Sequence, residues 1–230
     1  MTATAHRHFD EELTRLKERL LQMSGAVQEA VDRSVRAVLQ RDIDAAERVI
    51  ARDPGIDALE IEIEETVTNL LALHQPMARD LRLLLAALKI SNDLERVGDH
   101  AVNISICAKR LAEYRMIAPE PELIEMGRLA REMLAQSIDA FVRADAEAGR
   151  EVCRRDDQVD ALHRSMFRIL ITHMAEDAHT IGAAMELFLV SRNLERVADL
   201  ATNIAEDVVF LVEGKSIKHG AERETPKASS

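Results

Sequence analysis

The chain is 230 residues long and carries 41 acidic against 30 basic residues, a formal charge of −11 with no basic run, which argues against binding to nucleic acid or to anionic membrane surfaces. Aromatic residues make up 3% and tryptophan is absent, so an aliphatic core is expected, and the 8 glycines and 5 prolines allow few turns. These features favour long packed helices over a β-sandwich, and no apolar run approaches the ~18 residues of a membrane span.

The elements run in order. From 8 to 40, Phe9, Leu13, Leu16, Leu20, Met23, Val27, Val31, Val35 and Val38 recur at helical spacing and predict one long amphipathic helix. Arg41-Asp42 breaks it, with Asp42 placed to cap the next helix. A second helix runs from 43 to 74 with Ile56, Leu59, Ile63, Val67, Leu70 and Leu73 inward. Asp53-Pro54-Gly55 should kink it, or restart it with Asp53 as the cap. Gln75-Pro76 connects to a third helix, 77 to 113. After a linker from Tyr114 to Pro121 the order repeats, with helices at 122–143, to about 175, and 178–213. Arg143-Ala144-Asp145-Ala146 parallels Gln40-Arg41-Asp42-Ile43.

The third and sixth helices hold one motif twice, 100 residues apart. Residues 91–104, Ser-Asn-Asp-Leu-Glu-Arg-Val-Gly-Asp-His-Ala-Val-Asn-Ile, agree at 9 of 14 positions with 191–204, Ser-Arg-Asn-Leu-Glu-Arg-Val-Ala-Asp-Leu-Ala-Thr-Asn-Ile. A period this long implies a duplicated half-molecule. The expected fold is therefore all-α: two tandem antiparallel three-helix bundles, 1–114 and 115–213, followed by a disordered polar tail, 214–230. Apolar seams at Leu83 to Ala108 and Ala183 to Val208 face inward, and Glu95, Asp99, Glu195 and Asp199 fall on the opposite side.

A second carboxylate pair precedes each motif: Asp53 and Asp57 in the first half, Asp156 and Asp160 in the second. Like charges one turn apart weaken a helix, so something must offset them: a bound cation, or Arg52, Arg96, Arg155 and Arg196. Two neighbouring helices could pool enough carboxylate oxygens for magnesium, manganese or iron. Glu60 and Glu64 extend the first row, and His163 is a candidate extra ligand in the second. Asp80 and Arg82 open the third helix without counterparts at Thr180 and Gly182, and read most simply as an Asp–Arg contact. No phosphate-cradling glycine loop, nucleophile constellation or HExxH motif is present. Cys107 and Cys153 form neither a disulfide framework nor a CxxC site, and no apolar leader opens the chain. A reducing, cytoplasmic setting is expected.

Asp80-Leu-Arg82, Asp93-Leu-Glu-Arg-Val-Gly-Asp-His100 and Asn193-Leu-Glu-Arg-Val-Ala-Asp199, with their upstream carboxylates, resemble the PhoU family over residues 8–213. The resemblance implies a cytoplasmic, often dimeric, non-enzymatic negative regulator of phosphate uptake and starvation signalling. It would contact a membrane sensor histidine kinase and the ATPase subunit of the phosphate transporter. It also implies iron, zinc or another metal on Asp53, Asp57, Glu95, Asp99, Asp156, Asp160, Glu195 and Asp199. Gly98 and His100 become Ala198 and Leu200 in the second half, so the halves are not expected to bind metal equally. The alternative is a metal-dependent enzyme built on the same carboxylates.

Overall fold

A computed structural model describes residues 2–115, 117 and 120–217, with side chains from Phe9 onward. Among the described residues seven α-helices occur in order: α1 (Thr2–Gln40), α2 (Ile43–Arg52), α3 (Pro54–His74), α4 (Ala78–Leu111), α5 (Pro121–Arg143), α6 (Ala146–Glu176) and α7 (Ile181–Glu213). A single 3-10 turn, Ala178–Thr180, leads into α7, and no strand occurs among the described residues. No described helix is long and apolar enough to cross a membrane. The expected tail beyond Ile217, and Pro119 of the linker, lie outside the described residues.

The parallel between the two breaks, before Asp42 and before Asp145, is structural. Arg41 and Ala144 both adopt left-handed backbone, φ 55° and 50°, and turn the chain. Asp42 then accepts from the Ala45 amide at 2.8 Å, and Asp145 from the Ala148 amide at 3.0 Å. Each cap satisfies a helix-terminal N–H that has no partner of its own. Arg41 is further held because its guanidinium donates to the Leu111 and Tyr114 carbonyls at the end of α4.

At Asp53 the expectation of a side-chain cap is not met. Its backbone stays helical, φ −54° and ψ −42°, and its carboxylate makes no capping bond. Pro54 removes a donor without ending the helical path, so α2 and α3 form one bent rod in the position of α6. Leu73, expected in the core, is 74% exposed. At that last turn His74 packs against Phe9 instead, ring centroids 5.0 Å apart, and Leu73 lies about 100° round the helix.

The two halves share one continuous apolar core. The motif helices α4 and α7 pack side by side and antiparallel, as three cross-links show. Lys89 Nζ lies 3.3 Å from Asp207 Oδ1, His100 Nδ1 2.9 Å from Asn193 Oδ1, and Arg110 3.6 Å from Glu186 Oε1. α1 and α5 run antiparallel likewise, with Arg131 bonded to Asp32 and Gly127 against Val35. The ring of Tyr114 lies on Gly182 where a Cβ would not fit, tying the end of α4 to the start of α7.

Candidate functional site

The inward seams hold except at one end, where Leu83 is only half-buried: Ala87, Ile90, Leu94, Val97, Ala101, Ile104 and Ala108 on α4, and their α7 counterparts, are buried. Seam burial fixes the rotation of each motif helix, and so presents the carboxylates to the preceding helix of the same half. In the first half Asp53, Asp57 and Glu60 meet Glu95 and Asp99. The approach depends on Gly98, where a Cβ would stand 3.2 Å from Ile56 Cδ1 and 3.4 Å from Asp53 Oδ1. The sequence contained this signal, since a glycine inside a helical pattern marks a close approach.

The charges act on one another. Burial, then Asp57 and Asp99, raise Asp53 above the usual carboxylate range. Burial, then Asp99, Glu60, Asp57 and Asp53, raise Glu95. The arginines expected to neutralise this face mostly turn elsewhere. Arg52 reaches Glu29 at 3.4 Å, Arg96 reaches Asp93 at 3.5 Å, and Arg155 binds Glu132 at 2.8 Å. Each finds a partner on its own helix or towards α1 or α5, leaving Asp53, Asp57, Glu95 and Asp99 without a basic partner at ion-pair distance among the described residues. Glu64, one turn beyond Glu60, is exposed.

The second half differs. Burial, then Asp199, Asp160 and Asp157, push Asp156 up to about 6. Asp199 is raised by burial and Asp160 but opposed by Arg196, whose guanidinium binds it at 2.7 Å, and by His100. Glu195 Oε2 is buried and accepts no hydrogen bond, with Arg196 Nε 3.4 Å away. His100 comes from the first half, so this cluster is completed across the α4–α7 seam. Arg96, His100, Asp156, Arg196, Asp199 and Thr202 line one cavity of about 290 Å³ there. The contribution of His100 was not legible, because nothing in either helix alone says where the two cross.

His163 binds Ser191 Oγ at 3.1 Å and stacks on Phe188, ring centroids 5.5 Å apart. Asp80 and Arg82 do not adjoin the clusters. Arg82 lies 13 residues before Glu95, about 20 Å along the helix. Rather than pairing with Asp80, its Nε donates to the Leu211 carbonyl at 3.2 Å, closing the C-terminus of α7 beside Gly214.

The donor set is rich in carboxylate oxygen, which suits hard cations. Among the described residues no three carboxylate, imidazole or thiol groups are already oriented to hold one ion. The clusters are gathered but open, and side-chain rotation would have to close them.

Without metal, the folded chain keeps Asp156 protonated up to about pH 6, whereas the unfolded chain releases that proton near its ordinary value of 3.8. The group's contribution to stability is therefore fully present below about pH 4 and is lost as the pH rises through about 6. After discounting for solvent screening, Asp156→Asn is expected to stabilise the chelated protein by about 1 kcal/mol at pH 7.5. The gain should shrink towards zero at pH 4. Thermal unfolding at the two pH values checks this, and an equal loss at both would mean that the carboxylate is structurally required.

Comparison with known proteins agrees with the doubled architecture. A family profile described as the PhoU domain matches residues 20–108 and again 123–208, one match in each half. The phosphate-specific transport system accessory protein PhoU homolog of Zymomonas mobilis is 38% identical over 209 residues, covering 91% of this chain and 88% of that protein. The protein of the same name from Aquifex aeolicus is 39% identical, covering 90% and 94%. The crystal structure of PhoU from Pseudomonas aeruginosa superimposes with a TM-score of 0.86 at 35% identity, over 90% of this chain and all of that one. The phosphate transport system regulatory protein PhoU from Streptococcus pneumoniae gives 0.85 at 30%, over 91% and 99%. With its motif on both central helices, a profile match in each half and relatives of this identity over nine-tenths of its length, the chain belongs to the PhoU family.

Proposed function

We propose that this protein is a non-catalytic accessory regulator of phosphate transport that restrains the phosphate-starvation response. One observation carries the reading: relatives named as phosphate-specific transport system accessory proteins align with it over about nine-tenths of both chains. In this reading it acts in the cytoplasm as a homodimer and docks a sensor histidine kinase and the ATPase subunit of the phosphate transporter. Matched apolar pairs support docking. Leu81 and Leu85 on α4, and Ile181 and Met185 on α7, are exposed large apolar residues at the same offset of 100. Such pairs, one turn apart on a helix, are the anchors a partner helix reads.

The carboxylate clusters are proposed to hold hard divalent or trivalent cations, iron, manganese or magnesium, with zinc the softer option. The first cluster, on Asp53, Asp57, Glu60, Glu95 and Asp99, would be the stronger, because among the described residues no basic side chain lies at ion-pair distance from it. A bound cation would relieve the repulsion that raises Asp53 and Glu95 and brace α3 against α4.

The test is genetic and biochemical. Deleting the gene should derepress a phosphate-starvation reporter in phosphate-replete cells, and the intact gene should restore repression. The purified protein should capture the kinase and the ATPase, and Leu81→Glu with Ile181→Glu should weaken that capture. Normal repression in the deletion strain would overturn the regulatory role. Phosphatase or oxygen-consuming turnover by the metal-loaded protein, lost in Glu95→Gln, would replace it with the enzymatic alternative.

A further inference from the structure

A cavity of about 760 Å³ lies away from the carboxylates, where the N-terminal parts of α1 and α4 meet the C-terminal ends of α5 and α7. Both halves build it. Its floor is apolar and well packed, formed by Leu13, Leu83, Phe141 and Leu211, of which all but the half-buried Leu83 are core residues. Leu21, Val142 and Val212 also face it yet stay largely exposed, so the apolar lining continues to the mouth. Chains that fold for stability alone seldom leave such a lining open to water.

The polar residues at the mouth are mostly cationic. Lys17, Arg79 and Arg143 stand there with a single acid, Asp80. Arg143 is held by Asp139 at 2.5 Å. Lys17 and Arg79 have no acidic partner at ion-pair distance among the described residues. In a chain of net charge −11, where most exposed arginines are paired within their own helix or to its neighbour, two unpaired cations over an apolar floor are informative. A volume of this size suits a small ligand.

We infer that this cavity binds a small amphiphilic anion, with an alkyl body on the floor and a phosphate or carboxylate head between Lys17 and Arg79. Inorganic phosphate is a poor occupant, because it gains nothing from the apolar floor. Alcohols lack the head, and alkylammonium ions carry the wrong sign. Because the lining comes from α1 and α4 on one side and α5 and α7 on the other, occupancy would brace the two halves together. The ligand could reach the cavity as a free amphiphile or as a lipid drawn from a bilayer, and the two routes are separable.

The test is calorimetric titration of the full chain with decyl phosphate below its critical micelle concentration, beside decanol, decyltrimethylammonium and inorganic phosphate. Decyl phosphate is expected to bind with a Kd of about 10–100 µM, and the other three at least tenfold more weakly. Lys17→Glu with Arg79→Glu should weaken decyl phosphate at least tenfold, as should Val142→Glu, a change at an exposed rim position that leaves the core intact. Co-sedimentation with phosphatidate-containing vesicles, lost in the same variants, would identify the lipid route, and decyl phosphate binding without sedimentation would identify the free one. Absence of decyl phosphate binding, equal binding of the cationic analogue, or binding untouched by both sets of substitutions would overturn the proposal.

Discussion

Adding manganese, zinc or ferric iron in turn to the chelated protein is expected to raise its unfolding midpoint by about 5–10 °C for the metal that binds best. A ligand at a hundred times its Kd stabilises the folded state by about 2.7 kcal/mol, and a chain of this size gains about 2–4 °C per kcal/mol. The cause is the first cluster, where burial and mutual repulsion raise Asp53 and Glu95 and no base lies at ion-pair distance among the described residues. Asp53→Asn with Glu95→Gln and Asp99→Asn should remove most of the metal-induced rise. The same triple variant should unfold at a higher temperature than the wild type when both are metal-free, because the repulsion is gone. Asp156→Asn with Asp199→Asn should leave most of the rise in place, since Arg196 already satisfies Asp199 in the second half. Metal shifts unchanged in both variants would remove the proposed sites. Elemental analysis of protein purified without chelator checks the same sites independently.

Gly149→Val should cost about 3 kcal/mol or more and lower the midpoint by about 6–12 °C. A Cβ at Gly149 would stand 2.9 Å from the Ala205 carbonyl oxygen and 3.3 Å from Val209 Cγ2, so α6 and α7 would have to move apart. Backbone cannot rotate out of the way as a side-chain tip can. The shift would also displace Asp156, two turns along α6, from Asp199. Gly25→Ala is the matched control. It sits within α1 with nothing within 4 Å of its Cβ position and should stabilise the chain by about 0.5–1 kcal/mol, as alanine does in place of glycine inside a helix. Equal effects of the two substitutions would mean that α6 and α7 are not held at this distance.

The readable parts of this molecule depend on residues close together in the chain. Apolar spacing at three and four residues places Leu16, Met23, Val27 and Val31 inward on α1 before any partner helix is known, and all are buried. Asp42 and Asp145 cap the residues three places on, a bond whose two ends lie within one turn. The motif at an offset of 100 identifies the duplication, because a copied sequence with the same seams must bury the same face twice. Leu73 fails the same reasoning only at a helix end, where the neighbouring element no longer covers the expected side.

The choice of partner was not readable, because it is settled by where separate helices cross. Sequence proximity sets Arg52 and Arg155 against the carboxylates beside them, but they bond to Glu29 and Glu132, which the packing brings closer, while Arg96 bonds to Asp93 one turn back on its own helix. Proximity likewise pairs Arg82 with Asp80 two residues away, yet a helix turns such neighbours apart, and the end of α7 offers it a carbonyl 129 residues distant. His100 reaches the second cluster only because α4 and α7 run antiparallel at one register. By itself the sequence determined which residues lie inside, where each helix ends and that the acidic face occurs twice, since helix geometry and water act on neighbours along the chain. The tertiary structure decided which charges remain uncompensated, because an ion pair depends on distance in space, and α4 against α7 sets those distances.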